Sequence, residues 1–159
     1  MSYTALSTIA SSIAERIKTQ SQGKFKLVTY AQATNGAQIW QMIQGLANVP
    51  CAIVALGNAD YGNDALKRTL RPMIFVIAPF SRGLPNDADG IWELVEQVTG
   101  LFTPTATAAG LSYPAICNID FVPADWAPIE SPETVSAYCL TLEGTEFFTQ
   151  DPEPEIEEN

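Results

Sequence analysis

Chemistry in this sequence would have to come from carboxylates and thiols, because its 159 residues include no histidine. That absence removes the commonest general base, the ordinary Ser or Cys triad and most transition-metal sites. Two carboxylate pairs lie close in sequence, Asp87 with Asp89 and Glu93 with Glu96, and such pairs can divide acid and base roles. Their place at the start of an expected helix gives a simpler account: acids favour the positive end of the helix dipole, and residues three apart share one solvated face. Cys51, Cys117 and Cys139 are widely spaced, form no Cys-x-x-Cys and sit inside apolar runs, the habit of unpaired cysteines packed as small hydrophobes in a reducing compartment. Asn58, Asp60, Gly62 and Asp64 faintly resemble a calcium loop, but the acidic twelfth position such a loop needs is Thr69. Gly57 and Gly62 flank a polar stretch without the Lys-Ser or Lys-Thr that would hold phosphate, and no dinucleotide or nucleophile-elbow motif occurs. The expectation is no catalytic residue, no cofactor and no metal ligand.

Contact is the stronger signal. All eight Lys and Arg lie at or before Arg82, whereas 15 of the 18 Asp and Glu follow it, so residues 1–82 carry +5 (eight bases against three acids) and residues 83–159 carry −15. Five of those acids belong to the terminal run DPEPEIEEN, which leaves −10 in the body after residue 82. A polarised body suits head-to-tail association, in which a positive face of one copy meets a negative face of the next. The candidate interface residues are Arg68, Arg71 and Arg82 on one side and Asp87, Asp89, Glu93 and Glu96 on the other. Of the three tryptophans, Trp126 lies between Asp125 and Pro128 in an expected loop and is the candidate exposed anchor. Trp92, beside the apolar stripe of its helix, reads as core or core rim, with Trp40 between these cases. The overall acidity opposes binding to a phosphate backbone, so no nucleic-acid affinity is expected. No stretch of about 18 apolar residues is present, and Met1 to Ile17 does not read as an export signal, which predicts a soluble cytosolic protein with no membrane partner.

The elements that must position these residues are legible from periodicity. Leu6, Ile9, Ile13 and Ile17 predict a helix over 3–18; Phe25 to Tyr30 reads as a strand; Asn35 as an N-cap with Ile39, Met42, Ile43 and Leu46 behind it predicts a helix over about 36–47. Cys51 to Leu56 and Thr69 to Ala78 are apolar without alternation, as expected of central strands covered on both faces. The intervening Gly57 to Arg68 reads as a projecting loop or extended hairpin connection. Ile91, Leu94, Val95, Val98 and Leu101 predict a further helix ending at Gly100. Ala115 to Val122 alternates as a half-buried strand, and Thr134 to Leu142 reads as a strand in preference to a helix. Residues 1–148 form a single α+β domain in this reading, a mostly antiparallel central sheet packed with helices, and residues 149–159 a disordered acidic tail.

This order of elements resembles the small tail-terminator, or tail-completion, proteins of tailed phages, Mu-like prophages and related contractile injection particles. The segments that carry the resemblance are SYTALSTIASSIAERI, VPCAIVAL, LRPMIFVIAP, DGIWELVEQVTGLF, AICNIDFVPADW and TVSAYCLTL, which together run through most of residues 3–148. The resemblance implies a two-layer tail-terminator-like sandwich and a structural role: a homo-oligomeric ring, commonly a hexamer, that caps the tail tube, stops its elongation and helps join it to the head. Its implied partners are further copies of itself, the tail-tube protein and a sheath or head-completion protein. The implied location is the bacterial cytoplasm during assembly and the particle thereafter. No reaction is implied, and the acidic tail departs from the family pattern. Two other classes stay open at this point, a monomeric acidic binding protein such as a DNA-mimicking inhibitor and an enzyme working with carboxylates alone.

Overall fold

The computed structural model describes residues 3–32, 38–39, 41, 49–62, 66–79, 90–103, 115–130 and 135–148. Most of the expected helix over 36–47, Trp40, Arg82, Asp87, Asp89 and the tail at 149–159 lie outside the described residues.

Helix α1 spans Leu6–Gln20 and buries Ile9, Ala10, Ile13, Ala14 and Ile17, the three- and four-residue steps of one apolar stripe. Leu6, expected on that stripe, is 46% exposed, because the helix begins only there. The chain leaves α1 through two left-handed residues, Gln22 at φ 55° and Gly23 at φ 76°, a conformation that glycine adopts without a Cβ penalty. Strand β1 (Leu27–Tyr30) then pairs in parallel with β2 (Cys51–Tyr61). Parallel neighbours require a crossover of a dozen or more residues, and the segment between them contains helical Gln38, Ile39 and Gln41. Ile39 is buried against the sheet face opposite α1, together with Cys51, Ile53, Ala55, Phe75 and Ile77.

Strands β2 and β3 (Lys67–Pro79) form a long antiparallel hairpin, and β3 pairs on its other side with β5 (Val135–Phe147). β4 (Val122–Pro128) adds to the far side of β5, giving a five-stranded mixed sheet in the order β1-β2-β3-β5-β4. α2 (Ile91–Gly100) lies on the α1 face and buries Leu94, Val95 and Val98. α1 packs over β1 and β2, and α2 over β3 and β5. The fold is therefore α+β. The buried halves of β2 and β3, Cys51–Ala55 and Ile74–Ala78, feed both core clusters, with alternate residues facing α1 and α2 or Ile39. That double cover explains their unbroken apolar sequence.

Two expectations are corrected. Of the two readings of the polar stretch after Leu56, the projecting loop gives way to the extended hairpin: Asn58 to Tyr61 continue β2 past a bulge at Leu56/Ala59, and Lys67 and Arg68 begin β3. Cross-strand backbone bonds hold this polar half of the hairpin, so it needs no apolar face. Gly57 fits the bulge because a Cβ there would meet the Arg71 carbonyl oxygen at 2.6 Å. The expected strand over 115–122 is instead a tight turn, in which Cys117 and Asn118 both have positive φ and Ile116 and Ile119 exchange backbone hydrogen bonds of 3.0 and 2.8 Å. Its alternation is genuine burial of Ile119 and Phe121 against Gly144 of β5, and the strand proper starts at Val122.

Candidate interaction surface

Among the described residues no group of three Cys, Asp or Glu side chains converges on a common point, and all three cysteines are free. Burial pushes the Cys51 thiol up to about 12. It raises Cys139 to about 11, against a lowering hydrogen bond with Thr141 and with a smaller push from Asp125. Both are the neutral thiols of core residues, poor nucleophiles in the folded state.

Two of the arginines expected at an interface, Arg68 and Arg71, turn inward or sideways. Arg68 stands directly opposite Glu146 across β3 and β5 and is 4% exposed. Its Nε donates to Glu146 Oε1 at 2.8 Å, and its Nη2 lies 2.7 Å from the same oxygen and donates to the Thr4 carbonyl at 2.7 Å. The Thr4 N–H donates to Glu146 Oε2 at 3.0 Å, and the guanidinium rests on the Tyr3 ring at 4.4 Å. Tyr3 in turn meets Tyr61 and Phe148 edge-on. This cluster pins the segment before α1 to the far end of the sheet, and it offers no charge to a neighbour. Arg71 lies between β2 and β5, with Nη1 2.6 Å from Asp60 Oδ2 and Nε 3.3 Å from Glu143 Oε2. The hydrogen bond it donates to Asp60 leads in holding its guanidinium more firmly protonated than usual. Half-exposed and already paired, it is a sheet-surface link.

The acids and aromatics of the C-terminal half gather elsewhere. Trp92, Glu96 and Thr99 follow helical spacing along the outer face of α2, and with Val95, Gly100, Thr103 just past its end and Trp126 they line a groove of about 510 Å³ beside β4. Trp126 is 53% exposed, as expected of an anchor, but it sits on strand β4 and not in a loop. Trp92 is 65% exposed, which overturns its reading as core; Leu94, Val95 and Val98 take the buried face of α2 and leave it outside. Tyr138 of β5 joins the two indoles. Trp92 Nε1 donates to its hydroxyl at 2.8 Å, and Trp126 packs edge-on to its ring at 5.3 Å. Glu93 and Glu96 are exposed on the same helix, and Asp120, Asp125 and Glu130 are exposed on or beside β4.

The strand order decides what becomes of the charge split. β4 is one outer strand and β1 the other, and neither has a further strand partner among the described residues. Lys24 and Lys26 are exposed immediately before β1, and Lys18 is exposed in the last turn of α1, which packs over β1 and β2. Among the described residues these three lysines form no ion pair. One margin of the sheet is thus basic and the other acidic and aromatic, while between them Arg68 and Arg71 pair internally and Lys67 stays exposed at the start of β3. Neither a protein-family model nor a curated protein matches the chain.

Proposed function

We propose that this chain is a structural subunit that assembles head to tail into a closed ring, acting as a terminator at the end of a phage tail tube or tail-like particle. The observation that carries the reading is the separation of free charge to opposite margins of one sheet, Lys18, Lys24 and Lys26 by β1 against Glu93, Glu96, Asp120, Asp125 and Glu130 by β4. Two different, complementary surfaces on one chain make a heterologous contact, and such contacts close into rings when the rotation between copies allows it. The resemblance of the element order to tail-terminator proteins supplies the place in a particle. In that setting the ring stops tube growth and presents a joining surface for the head, with the tail-tube protein and a sheath or head-completion protein as neighbours.

Sedimentation velocity and negative-stain electron microscopy of the purified chain test this reading. The expected result is a closed ring at low ionic strength whose population falls as salt screens the charged margins. A monomer at high concentration and low salt refutes it. The internal pairing of Arg68 and Arg71 favours one second reading, a monomeric acidic binding protein that docks its β4 margin onto a basic cleft. That reading requires the monomer that the ring reading forbids.

A further inference from the structure

The groove beside β4 has a chemistry of its own. Trp92 and Trp126 present exposed indoles held through Tyr138, with the Glu96 carboxylate along the same wall and Glu93 on the next turn of exposed positions. An apolar stem ending in a cation fits such a site best. Its methylenes cover indole surface, its ammonium or guanidinium is attracted to an aromatic face, and a carboxylate completes the charge. A purely apolar side chain would leave Glu96 facing it, and an anion would be repelled by every acid on this margin. Of the three exposed lysines at the basic margin, Lys24 and Lys26 lie together beside β1, placed by the left-handed turn at Gln22 and Gly23 and by the bond from the Lys26 N–H to the Pro50 carbonyl. Their backbone is set by that geometry, so docking has only their side chains to order.

We infer that the Trp92–Trp126 groove is the acceptor half of the contact between copies, and that it receives the Lys24–Lys26 turn of a second copy of this chain. The inference rests on the ring reading and names its interface. The groove takes only one or two side chains, so it acts as the anchor of a wider contact between margins. Aromatic anchors of this type commonly dominate an interface energetically.

A charge-swap experiment tests it. Lys24→Glu/Lys26→Glu and Glu93→Lys/Glu96→Lys are each expected to be monomeric where the wild type forms rings, since in each variant the charged positions of the groove wall and of the turn carry like sign. Mixed in equal amounts, the two are expected to recover rings, because each groove then meets a turn of opposite charge. Trp92→Ala/Trp126→Ala is expected to weaken association by roughly tenfold or more. Circular dichroism shows that each variant is folded, and Trp126→Phe supplies a milder substitution if the double alanine variant does not fold. Rings from the wild type that persist in both charge variants, or a mixture that stays monomeric, overturn this interface and leave the ring reading standing. A monomeric wild type overturns both. A monomeric wild type whose indole fluorescence shifts on adding an oligolysine peptide identifies a groove for a different basic protein, and it rules out the second copy as occupant.

Discussion

Arg68→Met should be among the most destabilising single substitutions in this domain, and the structure sets the size of the effect. The change removes the guanidinium that holds Glu146 at 2.7 and 2.8 Å and the Thr4 carbonyl at 2.7 Å. Glu146, 6% exposed, keeps only the Thr4 N–H as partner. Breaking a buried pair by removing one member typically costs about 3–5 kcal/mol, since the remaining charge is stranded out of water. Glu146→Leu strands the guanidinium in the same way and should cost a similar amount. The double variant Arg68→Met/Glu146→Leu strands no charge. What remains is a Thr4 amide and carbonyl without their partners, a loss of about 1–3 kcal/mol. The three variants should therefore be strongly non-additive, with the double more stable than either single. Urea unfolding followed by circular dichroism measures this. For a domain of this size, the single variants should lower Tm by about 6–20 °C, at about 2–4 °C per kcal/mol. Costs that simply add, or a single-variant loss below about 1 kcal/mol, would refute the account of Arg68 as a buried structural link. The same account predicts that charge reversal at Arg68 acts on folding first, so it is unsuited to probing assembly.

Gly144→Ala should destabilise by about 1–3 kcal/mol in thermal unfolding, because the added Cβ would stand 2.6 Å from the Phe121 ring and 2.7 Å from Ile119, where overpacking forces the turn away from the sheet. Gly100→Ala, at a helical position with open space around it, should instead stabilise by about 0.4–1 kcal/mol, and the opposite order of the two glycines would contradict the packing described. The raised thiols predict loss of stability in alkali. A folded-state value above the unfolded one means that the native protein holds the proton that the unfolded chain releases. The contribution of Cys51 is therefore intact below about pH 9 and is lost as pH rises toward about 12. Urea midpoints of Cys51→Ala should fall less steeply over that window than those of the wild type, and parallel curves would show that Cys51 is not responsible.

The sequence exposed most of the elements because their burial is periodic. Ile9, Ile13 and Ile17, or Leu94, Val95 and Val98, can face one sheet only as helices, and an unbroken Cys51–Ala55 needs cover on both sides. What it concealed depends on partners distant in sequence. Asn58 to Tyr61 have a loop's composition, yet they are strand because Arg68 to Leu70 lie opposite and supply backbone bonds. Ala115 to Val122 alternates like a strand, but positive φ at Cys117 and Asn118 folds it back where Gly144 leaves room. Trp92 could have been found: it shares its helical face with Glu96 and Thr99, and that polar company argues for exposure. No local pattern announces that Tyr138 joins it to Trp126, because that contact is made by the pairing of β4 with β5.

The division of charge at Arg82 shows how topology converts a linear pattern into a spatial one. Had the strands been laid down in chain order, β4 would sit inside the sheet and β5 at its margin, and Arg68 and Arg71 would lack their partners on β5. The observed order β1-β2-β3-β5-β4 sets β5 against β3, so Glu146 and Glu143 reach those arginines and the two arginine charges in the middle of the sheet are paired. The charges at the two ends of the order cannot meet within one molecule, since β2, β3 and β5 stand between them. Among the described residues, Lys24 and Lys26 on one side and Glu93, Glu96 and Asp125 on the other therefore do not meet within one molecule. Exposed pairs of this kind add little to the stability of one subunit, whereas across a contact between copies they set orientation and exclude the like-charged register. The polarity of the described fold thus contributes little to the stability of one subunit, and under the proposed ring it would orient one copy against the next.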